Sequence, residues 1–193
     1  RCRARRGCQE LTDVLSLIER TPASVHTFPD VLDLRQATPD DVPAIHALVD
    51  RHVATDHLLP RASEEIQSHC ERFVVATLNG EVVGCAELAP LSPQVAEVRS
   101  LVVEADARGM GLGRRMVDAL VGRATELGYA RLCAFTHQPG YFVKLGFSIV
   151  PHLWLREKVF TDCVGCPLFR GCGQQAVVVS LAQSSANSIG AVA

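Results

Sequence analysis

No stretch of this chain stays apolar for anything near the ~20 residues that a membrane helix needs. The long apolar segment of a signal peptide is missing too. Neither sign of charge dominates: 19 Lys and Arg stand against 21 Asp and Glu, a net charge of −2, so nothing draws the chain to a polyanion. The local exception is Arg1, Arg3, Arg5 and Arg6, a cluster whose ordinary role is that of a solvated tail. No internal repeat is present, and the chain opens on Arg rather than Met, so the true N-terminus is not taken to be included. The 193 residues fit one domain with tails and suffice to bury a sizeable core. Neither nucleic acid nor membrane is expected as a partner.

Read along its length, the chain divides into an extension over 1–30, partly disordered, a domain over 31–182 and a disordered Ser/Ala-rich tail over 183–193. The extension carries one short helical pattern (Leu11, Val14, Leu15, Ile18) and then a proline-broken stretch. Residues 31–37 alternate as a strand. Thr38, Pro39, Asp40 and Asp41 then supply an N-cap, a first-turn proline and first-turn acids, opening a helix with Val42, Ile45, Leu48 and Val49 on one face. A second helix spans 63–71. Strands at 73–78 and 81–88 flank Asn79-Gly80, the strongest short hairpin signal. After Pro90 and Pro93 comes a strand over 95–103. The next helix buries Leu112, Met116, Leu120, Ala124 and Leu127 and stops at Gly128. Short strands at 131–135, 147–150 and 174–181 and a helix at 140–145 complete an α+β domain with a mixed sheet flanked by helices.

The most informative stretch joins the strand at 95–103 to the helix behind it through Arg108-Gly109-Met110-Gly111-Leu112-Gly113-Arg114-Arg115. Closely spaced glycines let the backbone approach an anion, and unpaired N–H groups of a first helical turn point at it with the dipole behind them. This is a recipe for holding a pyrophosphate, with Arg108, Arg114 and Arg115 adding charge. The loop lacks the Gly-Lys-Ser/Thr of a P-loop, which argues against an NTPase. A dinucleotide fingerprint belongs in a repeating βαβ chain, and the strands here read as antiparallel. The spacing alone leaves the nucleotide open.

The order of parts narrows it. Arg108-x-x-Gly111-x-Gly113 after Arg99-Ser-Leu-Val-Val-Glu104, followed by Tyr141-Phe-Val-Lys-Leu-Gly-Phe147, resembles the two signatures of the GNAT N-acetyltransferase superfamily over roughly 31–181. The strings at 58–65 (Leu-Leu-Pro-Arg-Ala-Ser-Glu-Glu), 84–88 (Gly-Cys-Ala-Glu-Leu), 96–101 (Ala-Glu-Val-Arg-Ser-Leu) and 158–167 (Lys-Val-Phe-Thr-Asp-Cys-Val-Gly-Cys-Pro) are similar to the short single-domain bacterial N-acetylglutamate synthases. That resemblance implies a mostly antiparallel sheet with a splayed central strand pair. It implies acetyl-CoA as cosubstrate, L-glutamate as acceptor, the first step of arginine biosynthesis, and a cytoplasmic setting. A homodimer stays open, as does a GNAT enzyme for another amine or a non-catalytic CoA-binding sensor.

The resemblance also assigns residues. Leu101, Val102 and Val103 correspond to the positions whose backbone meets the pantetheine and the acyl oxygen, and Arg108 to Arg114 to those that hold the pyrophosphate. Glu97 matches the general base, with an ion pair to Arg99 as the plainer reading; Glu87, a second carboxylate in an apolar strand, is the other candidate. Arg61, Arg99 and Lys158 are the cations expected at the acceptor's carboxylates, since Arg offers them bidentate geometry. Phe142 stands where many family members have an acidic Tyr, Tyr141 is expected only to pack, and no protein acid is assigned. Of eight cysteines, Cys70, Cys85 and Cys133 are expected as buried thiols. Cys163, Cys166 and Cys172 leave metal, disulfide and free thiols open, with no metal assigned. His46, His52, His57 and His69 are expected as surface or packing residues.

Overall fold

The computed structural model describes residues 31–53, 58–169 and 171–181. The extension, the tail and His57 lie outside them. Seven strands form one sheet in the order β1-β2-β3-β4-β5-β7-β6: β1 Leu32–Gln36, β2 Phe73–Leu78, β3 Glu81–Ser92, β4 Val95–Val103, β5 Arg131–Thr136, β6 Ser148–Val150 and β7 Gln175–Ser180. Every neighbouring pair is antiparallel except β4 and β5. Those two are joined by a helix, the connection that a parallel pair needs. The helices are α1 Val42–Val53, α2 Ser63–Ser68, α3 Leu112–Glu126, α4 Pro139–Val143 and α5 Arg156–Lys158, the last running on as a π turn over Val159–Cys163.

The β2–β3 hairpin turns at Asn79 (φ 53°) and Gly80 (φ 89°), both left-handed as a two-residue hairpin requires. Strand β3 is longer than the sequence pattern suggests, running through Pro90 to Ser92. Its pairing with β2 ends at Glu87, opposite Phe73, so Pro90 sits where β3 has no β2 partner to receive a missing N–H.

Alternation along the strands feeds three buried clusters, two of them under helices. Val74, Ala76, Ala86, Leu88, Ala96 and Val98 pack under α3, whose Leu112, Met116, Val117, Leu120 and Ala124 are buried. Each large side chain of that set contributes roughly 1.5–3 kcal/mol by leaving water. Leu127, expected in the same stripe, is instead exposed one residue beyond the helix end, where Gly128 (φ 80°) turns the chain away. On the opposite face, Phe73, Val75, Cys85 and Val102 pack against Ile45, Leu48 and Val49 of α1 and Ile66 of α2. Cys70, Cys85 and Cys133 are buried free thiols, and burial pushes the Cys85 thiol up to about 12.

Asp41 ties β1 to α1. Arg35 Nη1 and Nη2 donate to its two carboxylate oxygens at 2.6 and 2.7 Å, and the Thr38 N–H and hydroxyl donate at 2.7 and 2.9 Å. Thr38 caps a short 3-10 turn, Pro39–Asp41, ahead of α1. The Arg35 hydrogen bonds outweigh burial and hold Asp41 at a pKa of about 2. A carboxylate with a lowered folded pKa adds stability above its unfolded value of ~3.9 and loses it as pH falls through the folded one. Asp41→Asn is therefore expected to lose about 1 kcal/mol at pH 7, after allowing for the half-exposed Arg35. In urea melts the gap from wild type should narrow from about pH 5 downward and close near pH 1; a gap undiminished near pH 1 contradicts the assignment.

Candidate active site

Strands β4 and β5 share only three rungs, Val95–Arg131, Ala96–Leu132 and Glu97–Cys133. Beyond Glu97 they part. Strand β4 continues to Val103 and β5 to Thr136, and the wedge between them opens into a cleft of about 1080 Å³. Its walls include β4 from Glu97 to Val103, β5 from Ala134 to Thr136, Leu58 to Arg61, Lys158 and the glycine loop.

A bulge shapes the β4 wall. Glu87 pairs with Arg99 and Cys85 with Val102, so Ser100 and Leu101 stand opposite Ala86 alone. Ser100 takes the extra turn at φ 49°, a left-handed conformation that is uncommon for a residue with a side chain. Past the bulge the faces exchange. Leu101 and Val103 pack toward the α3 core with Ala96 and Val98, while Val102 joins the α1 side.

The loop closes the far end. Gly111 is the N-cap of α3 at φ 75°, a backbone state that favours glycine. Among the described residues no backbone carbonyl pairs with the N–H groups of Gly109, Met110, Gly111, Leu112, Gly113 or Arg114; the first bonded N–H of the helix is that of Arg115, to Gly111. Arg108, Gly109, Gly111, Leu112, Gly113 and Arg114 line the cleft. Met110 does not; its side chain is exposed. The Tyr141 hydroxyl is buried without a partner among the described residues and lies 2.5 Å from where a Cβ on Gly113 would fall. Phe142 is buried behind it, edge-on to Phe147.

At the point of the wedge stands Glu97, 3% exposed. Its Oε2 accepts from Arg99 Nε at 2.6 Å and from Lys158 Nζ at 2.8 Å. Lys158 also donates to Asp162 at 2.8 Å, and Arg99 pairs with the same carboxylate. Burial works against ionisation of Asp162, yet Lys158 and Arg99 hold its pKa below the usual carboxylate range. Glu87, 1% exposed, lies one strand over and is absent from the cleft wall. It accepts from Arg61 Nη1 at 2.9 Å, with His69 Nδ1 at 3.8 Å. Arg61 also donates to the Ser100 hydroxyl at 3.0 Å and lies 2.8 Å from Glu65. For Arg61 and Arg99 burial works against the charge, but the surrounding carboxylates raise both pKa values.

Glu97, Arg61, Arg99 and Lys158 thus meet at one end of one cleft, and the loop residues apart from Met110 at the other. Glu65, His69, Ser100 and Asp162 belong to the same network without having been singled out by sequence. Two of them carried a signal: Glu65 and Asp162 each stand four residues after a site cation, the spacing of helix ion pairs. Cys163, Cys166 and Cys172 line a smaller cavity of about 270 Å³ beside Lys158 and Asp162. All three are free thiols, and burial raises that of Cys163.

The acetyltransferase (GNAT) family pattern matches residues 34–147, and the chain belongs to that family. An uncharacterized N-acetyltransferase from Chlorobaculum tepidum is 32% identical over 124 residues, spanning 64% of this chain and 80% of that protein. An amino-acid acetyltransferase from Mycobacterium tuberculosis is 32% identical over 85 residues, 44% of this chain and only 49% of its own length. The N-acetylglutamate synthase of Neisseria gonorrhoeae, solved with coenzyme A and N-acetyl-glutamate, shares the fold at a TM-score of 0.68 and 24% identity, over 81% of this chain and 36% of that one.

The contact between Gly113 and Tyr141 gives a test that needs no ligand. Gly113→Ala drives a methyl group into the hydroxyl and should lower stability by about 1–3 kcal/mol. Tyr141→Phe removes an unpartnered buried hydroxyl, so it should be close to neutral alone and recover much of the loss in the double variant. Additive losses in thermal unfolding would show that the two side chains do not meet.

Proposed function

We propose that this chain is an acetyl-CoA-dependent N-acetyltransferase whose acceptor is the α-amine of L-glutamate, the reaction that opens arginine biosynthesis. The observation that carries the reading is the place of Glu97. A buried carboxylate gripped by Arg99 and Lys158 stands where β4 and β5 separate, and the same cleft ends at the glycine loop, where among the described residues no backbone carbonyl pairs with the N–H groups from Gly109 to Arg114. The amino-acid acetyltransferase name of a relative and the N-acetyl-glutamate bound by a neighbour support the choice of acceptor.

In this reading the N–H groups from Gly109 to Arg114 take the pyrophosphate, with the α3 dipole and Arg108 and Arg114 behind them. The main chain at Leu101, Val102 and Val103, freed from β5 by the splay, pairs with the pantetheine arm and leads the thioester to Glu97. A backbone N–H held near the thioester oxygen stabilises the negative charge that gathers there, worth on the order of 3 kcal/mol. Glu97 takes a proton from the acceptor's ammonium, the neutral amine attacks the thioester carbon and the new C–N bond forms; the nitrogen then releases its second proton to water as the C–S bond breaks. The departing thiolate is protonated from water; Phe142 offers no proton at the position where other family members carry a tyrosine. Arg61, Arg99 and Lys158 orient the acceptor's carboxylates. Glu87 sits behind Arg61 and holds it, which makes Glu87 a positioning group rather than a base.

Release of CoA thiol from acetyl-CoA across the standard amino acids tests the acceptor directly. L-glutamate should be used most efficiently; a preference for amines without a carboxylate, or no turnover of any amino acid, contradicts the reading. Glu97→Gln should lower kcat by roughly 10²–10⁴-fold with acetyl-CoA binding near wild type and partial recovery at high pH, where more acceptor amine is already neutral. A larger loss from Glu87→Gln would move the base to β3. For the loop, Gly111→Asp places a Cβ and a negative charge at a left-handed N-cap and should raise the Michaelis constant for acetyl-CoA at least tenfold; an unchanged constant in a folded variant removes the loop from the binding site.

A further inference from the structure

The cations at the acceptor end are already engaged. Four carboxylates hold three of them, and those four fall into two kinds. Glu87 and Glu97 are almost wholly buried and grip the cations from the sheet. Glu65 and Asp162 have side chains 40% and 35% exposed, and both line the cleft. A molecule entering through the cleft meets the second kind first. Asp162 is the better held: Lys158 and Arg99 both bind it, and the same two cations also bind Glu97.

We infer that Asp162 is a specificity-determining residue, occupying in the free protein the place that an acceptor carboxylate takes on Arg99 and Lys158. The inference rests on the amino-acid acceptor proposed above. Charge arithmetic favours exchange over addition. Arg99 and Lys158 balance Glu97 and Asp162, two against two. A further carboxylate would leave an unbalanced negative charge in a half-buried site, which is strongly unfavourable. If the incoming carboxylate replaces Asp162, the balance holds. Asp162 sits on the π turn after α5, outside every strand ladder, so its side chain can swing toward solvent without breaking a sheet bond. Its lowered pKa keeps it charged across the neutral range. An amine without a carboxylate has nothing to offer Arg99 and Lys158 in return, and Asp162 stays in place against it. The residue therefore weakens every acceptor somewhat and excludes those that cannot exchange for it.

The test is steady-state kinetics of the full chain with Asp162→Asn and, separately, Asp162→Ala, alongside calorimetric binding of N-acetyl-L-glutamate. Both variants should lower the Michaelis constant for L-glutamate by about tenfold, the scale of one charge-assisted hydrogen bond. They should bind N-acetyl-L-glutamate more tightly by a similar factor and leave the acetyl-CoA constant within twofold. Amines without a carboxylate should gain turnover relative to glutamate. A glutamate constant that rises in both variants shows that Asp162 holds the cations in place for the substrate, and an unchanged one shows that it takes no part; either result overturns the inference. The wild-type arm keeps the two readings apart. Wild type that turns over no carboxylate-bearing amino acid defeats the proposed acceptor, whereas wild type that uses glutamate with unaltered variants defeats only the role of Asp162.

Discussion

Everything at this site depends on β4 and β5 ceasing to pair after Glu97 and Cys133. A parallel pair held by three rungs would ordinarily continue, since each strand has residues left to bond. Here, among the described residues, the backbone of 98–103 has no strand partner on that side, and only the Val103 carbonyl is taken, by Arg108 Nε at 3.1 Å, while β3 holds the strand on the other side. The result is a groove walled by main-chain donors and acceptors, which water or a ligand must satisfy. The helix that must cross between parallel strands starts at the mouth of this groove, so its unpaired N–H groups face the same space. One interruption in a ladder thus sets both the glycine-loop end of the cleft and its apex.

The bulge at Ser100 is the second device. It exchanges the faces of β4 midway. Without it, Leu101 and Val103 would follow Glu97 and Arg99 onto the α1 side; with it, they face α3 and line the cleft near the loop. The Ser100 hydroxyl also accepts from Arg61 Nη1, which joins the strained residue to the charged cluster. That cluster is a chain of ion pairs from Glu65 through Arg61 to Glu87, and from Arg99 and Lys158 to Glu97 and Asp162. Pairs buried to this degree are poor sources of stability, because desolvation offsets most of the attraction. Their worth is in fixing side chains where chemistry needs them, and removing one member leaves its partner uncompensated.

Much of this was legible in the residues. Asn79-Gly80 announced the hairpin, Thr38 and Asp41 the start of α1, and the glycine loop the start of α3. Glu97 and Arg99 were readable as a pair because a strand places i and i+2 on one face. The bulge was not readable, since it is a property of two strands in register and leaves no mark in either alone. Asp162 and Glu65 escaped notice for another reason. A carboxylate one helical turn from a cation is the commonest pattern on a solvated surface, and only the fold shows that these two pairs look into a cleft. Leu127 and Pro90 went the other way: local pattern pointed inward at one and to a break at the other, and position at a helix end and beyond a strand pair decided both.

A crystal structure of the chain with CoA bound would test the central claim, that the wedge runs from the glycine loop to Glu97. The pyrophosphate should lie against the N–H groups of Gly109 to Arg114, the pantetheine should pair with the main chain of β4 beyond the bulge, and the sulfur should end beside the carboxylate of Glu97. A sulfur that leaves the cleft elsewhere, with Glu97 still closed off by Arg99 and Lys158, would contradict it.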